Sequence, residues 1–243
     1  MADYPQILPL GDRSILINFK KEISLETLDK VLFFKKRIEN FKFKEKVEVT
    51  NTYNSLLVSY MFTIEDVYSE VLRLKSLLSE ANIPKISNYK IFQIPVCYDR
   101  KFGLDLEYIS KEKDLEIDEI IQWHTAPLYQ VYFIGFLPGF LYLGGLDERL
   151  YISRKKTPRR AVEKGAVGIG EKQTGIYPKS SPGGWQILGK TPVDLFDKNR
   201  KPPCPFSAGD KIKFNAVSKT EFLEIEKEIT DGNYTLKFEN HES

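Results

Sequence analysis

Residues 89–96, YKIFQIPV, form an apolar run with the length and composition of a β-strand. How that run is used decides the fold. Upstream lie three more β-type runs, SILINF (14–19), VEVTN (47–51) and SLLVSY (55–60), the last two joined near Tyr53 and Asn54 as a hairpin. After SILINF, Ser24 opens SLETLDKVLFFKKRI, where Leu25, Leu28, Val31, Leu32 and Ile38 recur near helical spacing, with Ser24 as N-cap. After SLLVSY, Thr63 and Asp66 make a capping-box-like start to IEDVYSEVLRLKSLLSE. There Val67, Val71, Leu74 and Leu78 share one face, and Pro84 ends the helical region. With YKIFQIPV as the closing strand, the order is strand, helix, strand, strand, helix, strand. This split βαβ pattern predicts a ferredoxin-like α+β N-terminal domain, placed at 1–90, with helices on one face of an antiparallel sheet.

The rest, 91–243, has a different texture. LEIDEIIQWH reads as a helix that ends before Pro127. Short β-type runs then alternate with glycine and proline: YQVYFIGF, AVGIG, TGIYP, WQILG, VDLF and DKIKFNAV. Dense glycine punctuation of short strands predicts a closed or nearly closed, mainly-β structure. From about residue 219 a helix is expected, followed by YTLKFEN as a strand.

Composition narrows the function. With 42% apolar and 13% aromatic residues among 243, the chain can bury a real core. Thirty-six Lys and Arg against 34 Asp and Glu leave a formal charge of +2, well interspersed, which points to neither nucleic acid nor membrane. The N-terminus carries no signal-peptide pattern, and no apolar run reaches the roughly 18 residues needed to span a bilayer. Cys97 and Cys204 are far apart, so free thiols in a reducing cytoplasm are expected. With only His124 and His241 beside them, no metal-spaced cluster forms, and no metal site is expected in this chain.

Familiar phosphate and nucleophile devices are missing. GAVGIGEKQTG (165–175) departs from both GxxxxGK[ST] and GxGxxG, and no GxSxG occurs. Other stretches leave two readings open. His124 shares the apolar face of its helix with Ile117 and Ile121; it is either a core histidine whose charged form the helix C-terminus favours or an acid/base group. FIGFLPGFLYLGGL (133–146) is either a sharp strand corner anchored by Phe136 and Phe140 around Pro138, or the apolar wall of a pocket. Arg154 and Arg159 are a solvated basic loop or an anion site, since a guanidinium fork matches carboxylate and phosphate. Gln173, Thr174 and Tyr177 either orient a ligand or satisfy their own turn. In SSPGGW, Gly183 and Gly184 allow positive φ and could aim successive N–H groups into one concavity beside Ser181 and Trp185.

Taken together, GFLPGFLYLGGL (135–146), Arg154 with Pro158 and Arg159, GAVGIGEKQTGIYP (165–178) and SPGGWQILGKTPVDLFD (181–197) resemble one family. It is the family of the 5-oxoprolinase B subunit, known too as KipI-like or allophanate hydrolase subunit 1. HTAPLYQVYFIGF from His124 fits its lead-in, and LPLGDRSILINF resembles its opening strand more loosely. The resemblance implies an α+β domain followed by a cyclophilin-like β-barrel. It implies a cytoplasmic, heteromeric enzyme in which this chain, inactive alone, works with a KipA-like C subunit and a separate A subunit. Such complexes open 5-oxo-L-proline to L-glutamate at the expense of ATP, with Mg accompanying the nucleotide in the assembly. On that reading Arg154, Arg159 and His124 would be catalytic. Phe136, Pro138, Phe140, Gln173, Thr174, Tyr177, Ser181, Gly183, Gly184 and Trp185 would contact substrate. Two other activities fit the resemblance: inhibition of a sensor histidine kinase, and one half of a carboxyltransferase of the urea carboxylase/allophanate type.

Overall fold

The computed structural model describes residues 5–43, 46–79 and 82–242, so Glu80, the last residue of the second expected helix, lies outside it. Contacts divide the chain into two compact units, 1–86 and 87–243.

The first unit contains β1 (Gln6–Pro9), β2 (Ser14–Asn18), α1 (Leu25–Asn40), β3 (Val47–Asn51), β4 (Ser55–Tyr60) and α2 (Val67–Leu77). Its antiparallel sheet runs β1-β2-β4-β3. Alternation places Ile15, Ile17, Leu56 and Val58 on the buried face, against Val31, Phe34 and Ile38 of α1 and Leu74 of α2. Ser24 caps α1 as expected, its hydroxyl accepting from Thr27 N. Asp66 alone caps α2, accepting from Ser69 N; Thr63 lies outside that helix.

The closing strand of the split βαβ expectation is not in this sheet. YKIFQIPV belongs to β5 (Tyr89–Cys97), a strand of the second unit, and the place beside β2 is taken by β1. The ferredoxin-like topology is corrected accordingly. β1 reaches that place through a tight hairpin in which Leu10 N–H donates to Ser14 O.

The second unit continues with α3 (Leu106–Lys113), α4 (Ile117–Thr125), β6 (Tyr129–Ile134), β7 (Leu141–Gly144), β8 (Arg159–Val162) and β9 (Ala166–Gly170). Then come β10 (Gln173–Ile176), β11 (Ser181–Gly183), β12 (Gln186–Lys190), β13 (Lys211–Val217), α5 (Lys219–Thr230) and β14 (Phe238–His241). Seven strands run β12-β9-β10-β7-β6-β13-β5, and a pairing of β12 with β5 at Lys190 and Cys97 closes them into a barrel. β14 lies against the other part of β5, and β8 with β11 forms a separate two-stranded ribbon. VDLF, expected as a strand, is irregular loop. β5 pairs in parallel with β13, from Ile91 opposite Lys211 to Cys97 opposite Val217. Phe92, Ile94, Val96, Val131, Leu141, Leu143, Val167, Ile169, Ile176, Leu188, Ile212 and Phe214 fill the interior. Among the described residues no helix is long and apolar enough to cross a membrane.

Candidate functional site

Strand alternation sorts the expected site residues into two populations. Along β10, Ile176 points into the barrel core while Tyr177, just beyond the strand, joins an outer cluster with Phe140, Trp185, Val162 and Ile187. Thr174 shares the inner face, and Gly175 the outer.

On the inner side, His124, in the last turn of α4, is fully buried and stacked on Phe214 at 4.8 Å. Its Nε2 lies 2.9 Å from Thr174 Oγ1, and Thr174 Oγ1 donates to Gly168 O at 3.0 Å. The Thr174 proton is therefore spent, so Nε2 carries the imidazole proton and donates to that hydroxyl. Nδ1 is left as the acceptor for Tyr98 Oη at 2.7 Å. Burial drives the imidazole pKa down to about 3 and holds the Tyr98 phenol well above its ordinary value. Two expectations are corrected here. His124 is sealed and neutral, so it cannot exchange a proton with a substrate, and desolvation outweighs the helix C-terminus that was expected to favour its charge. Thr174, also fully buried, orients the imidazole and spends its proton within the strand pair.

On the outer side, the Phe140 ring meets Tyr177 and Trp185 edge-on, with centroids at 5.1 and 5.5 Å. All three rings are buried, so they form a small core beneath the β8–β11 ribbon instead of an open pocket wall. Gly183 pairs with Arg159 across the ribbon, and a Cβ there would lie 2.4 Å from Tyr177 Oη. Neither Gly183 nor Gly184 has positive φ, so the expected nest of N–H groups is corrected: Gly183 is a close-approach glycine. Gly184 O accepts from Lys155 N at 2.7 Å. Ser181 is buried with its hydroxyl on Pro182 O. Pro138 is exposed, and Phe136 is exposed at φ +63° in a three-residue turn closed by Leu137 N–H to Gly135 O.

Arg154 and Arg159 have different roles, Arg159 opposite Gly183 in the ribbon and Arg154 beside Trp185. Arg154 is exposed. Its stem runs against Gly170, and its guanidinium stands 5.6 Å from the centroid of the Trp185 ring. Arg159 is committed: its Nη2 donates to Asp105 Oδ1 at 2.7 Å, and its Nη1 is buried without a partner among the described residues. Lys155 Nζ reaches the same carboxylate oxygen at 3.3 Å, and Asp105 Oδ2 accepts from Ile187 N at 2.7 Å. The Asp105 N–H also donates to Ile187 O. Asp105 therefore ties the start of α3, the 153–159 segment and β12 together. Arg159 is thus held in this hub through Nη2, with Nη1 left unpartnered among the described residues.

Beside this hub is a cavity of about 590 Å³, lined by Tyr108, Glu112 and Lys113 of α3, the segment 151–157, and Gln186. Gln186 pairs with Ile169, whose side chain is in the barrel core, so the cavity opens at the barrel mouth. Lys113, Arg154, Lys155 and Lys156 give it a cationic lining. Lys172, in the β9–β10 turn, adds a charge 5.6 Å from the ring of Tyr151. Sequence reasoning did not find Asp105, Tyr108, Lys155 or Gln186. The Asp before LEYI was the available signal, as a helix N-cap candidate in FGLDLEYI.

With this geometry in place, comparison with known proteins is direct. The model of the carboxyltransferase domain, subdomain C and D, matches residues 5–206. The chain is 37% identical over 238 residues to the 5-oxoprolinase B subunit of Bacillus subtilis, covering 92% of this chain and 97% of that protein. The chain belongs to the family of 5-oxoprolinase B subunits. Among solved structures, TTHA0988 superposes with a TM-score of 0.72 at 30% identity over 85% of this chain, which spans 40% of that longer protein. The Kluyveromyces lactis urea amidolyase shares the fold at TM-score 0.83 and 20% identity, over 96% of this chain and 16% of its own. In this member of the B-subunit family, the residues that meet at the barrel mouth are Gln186 and the cationic 153–157 segment, held by Asp105.

Proposed function

We propose that the chain is the B subunit of an ATP-dependent 5-oxoprolinase, converting 5-oxo-L-proline to L-glutamate together with the A and C subunits and inactive alone. The observation that carries this reading is the near full-length match to the Bacillus subtilis 5-oxoprolinase B subunit. A lactam carbonyl is a poor electrophile, and ATP supplies the phosphoryl group that turns its oxygen into a leaving group. The part assigned to this chain is to hold and orient the small ring and to neutralise anionic charge. The cationic lining of the barrel-mouth cavity suits both tasks. The Mg ion accompanying ATP is assigned to the assembled complex. We place the protein in the cytoplasm, a setting that suits its two free cysteines.

The test combines the three purified subunits with ATP and 5-oxoproline and measures glutamate. Omitting this chain should abolish release; full release without it would overturn the assignment. A carboxyltransferase role, which the domain description of the family favours, predicts instead activity with a biotinylated carrier and no dependence on the A subunit.

A further inference from the structure

We propose that Gln186 reads the ring N–H of the substrate and that Lys155 takes its carboxylate, so that the barrel-mouth cavity selects a small cyclic amide acid. The inference rests on the 5-oxoproline reading and gives it a binding mode. Gln186 is 2% exposed. Its Nε2 donates to Ser153 O at 3.1 Å, which fixes the amide orientation and makes the other end an acceptor. That acceptor, Oε1, is buried and has no partner among the described residues. A buried carbonyl left unpaired is costly, and this one belongs to a residue of the cavity lining, so a donor arriving from a ligand would satisfy it. Neutral N–H suits an amide oxygen, and a lactam presents one such group.

The second anchor is the ammonium of Lys155. It stands 3.3 Å from Asp105 Oδ1 and 5.9 Å from the centroid of the Tyr108 ring, another residue of the cavity lining. An ammonium has three donors, and Asp105 takes one. The remaining N–H groups can meet a carboxylate. Tyr108 and Tyr151 offer flat walls for a five-membered ring, and Glu112 disfavours a second acidic group. An unpartnered acceptor and an ammonium on the same cavity match a ligand with one N–H and one carboxylate.

The experiment uses the reconstituted three-subunit complex and three ligands: 5-oxo-L-proline, its γ-lactone analogue with ring oxygen in place of N–H, and 2-pyrrolidinone, which lacks the carboxylate. Wild-type complex should bind the lactone about 10–100-fold more weakly than the lactam, the range expected for a lost hydrogen bond to a buried acceptor. Gln186→Met should bring the lactam-to-lactone ratio close to 1. Lys155→Met should weaken the lactam and the lactone alike and leave 2-pyrrolidinone unchanged. Equal binding of lactam and lactone by wild type, or a preference that survives in Gln186→Met, overturns the inference. If Gln186→Met does not fold, the wild-type ligand pair alone decides. A complex that releases glutamate without discriminating the two rings removes this binding mode and leaves the functional assignment standing; a complex that releases none removes both.

Discussion

Asp105 Oδ1 lies 2.7 Å from Arg159 Nη2, joining the start of one helix to a two-stranded ribbon 54 positions later in the chain. The carboxylate is nearly inaccessible, at 4%, and also receives Lys155 Nζ and the backbone N–H of Ile187. The motif arginine is therefore held by an acid that no motif announces.

Replacing that acid should be expensive. Asp105→Asn keeps the shape but strips the counter-charge from two partly buried cations. Stability should fall by about 2–4 kcal/mol, at or just below the ~3–5 kcal/mol for breaking a fully buried pair, since both cations are partly exposed. Urea unfolding would show it as a lower midpoint at unchanged slope. A midpoint equal to wild type would mean that the pair is incidental.

The buried imidazole gives stability a pH dependence of known sign. His124 has its folded pKa depressed to about 3, against 6.5 when exposed. Between those values the unfolded chain binds a proton that the folded chain refuses. Its contribution to stability is thus complete above pH 6.5 and is lost as pH falls toward 3, at about 1.4 kcal/mol per unit. Lowering the pH from 6.5 to 5 should cost about 2 kcal/mol through this residue. Unfolding series on wild type and His124→Gln separate it: the variant is less stable at neutral pH and has a shallower acid slope. Parallel slopes would contradict the sealed imidazole.

Gly183 tests close approach against backbone freedom. A methyl there would sit 2.4 Å from Tyr177 Oη, and the backbone φ is not positive. Gly183→Ala should cost about 1–3 kcal/mol through overpacking. The double variant Gly183→Ala, Tyr177→Phe should recover part of it, because the clash is with the hydroxyl and ring edge. No recovery would point to a backbone cause.

Glu171 is held at φ +56° in the two-residue turn between β9 and β10. Glycine tolerates that region without a Cβ penalty, so Glu171→Gly should raise stability by about 1 kcal/mol. Thermal unfolding would register an upward shift of a few degrees. A downward shift would mean the Glu171 side chain supplies more than the strain removes.

Much of the fold is legible wherever the signal is local. Ser24 before an apolar-periodic segment locates α1 because a cap satisfies N–H groups within the next turn. VEVTN and SLLVSY pair as expected because three residues join them. The helix α3 is hidden: LEYISKEK is too charged to show a stripe, and it needs only Leu106 and Ile109 to anchor it. At the candidate site, arginine, tryptophan and glycine stand out in the sequence, because their chemistry and shape are unusual wherever they occur. Their roles are not legible. Trp185, Tyr177 and Phe140 could be a wall or a core, and only burial decides between them. His124 looks poised on its helix face, and the low-dielectric interior that neutralises it comes from β10 and β13.

By itself, the sequence determined the helices other than α3, most of the strands, a glycine-punctuated β half and the family, because these depend on spacing and on side-chain types read in order. Tertiary structure alone decided that YKIFQIPV belongs to the barrel, that Asp105 grips Arg159, and that Gln186 joins the lining of the cavity beside them. Each of these is a pairing between distant segments. A strand's backbone donors and acceptors are alike along its length, so the choice of partner is made by which hydrophobic faces can be buried together.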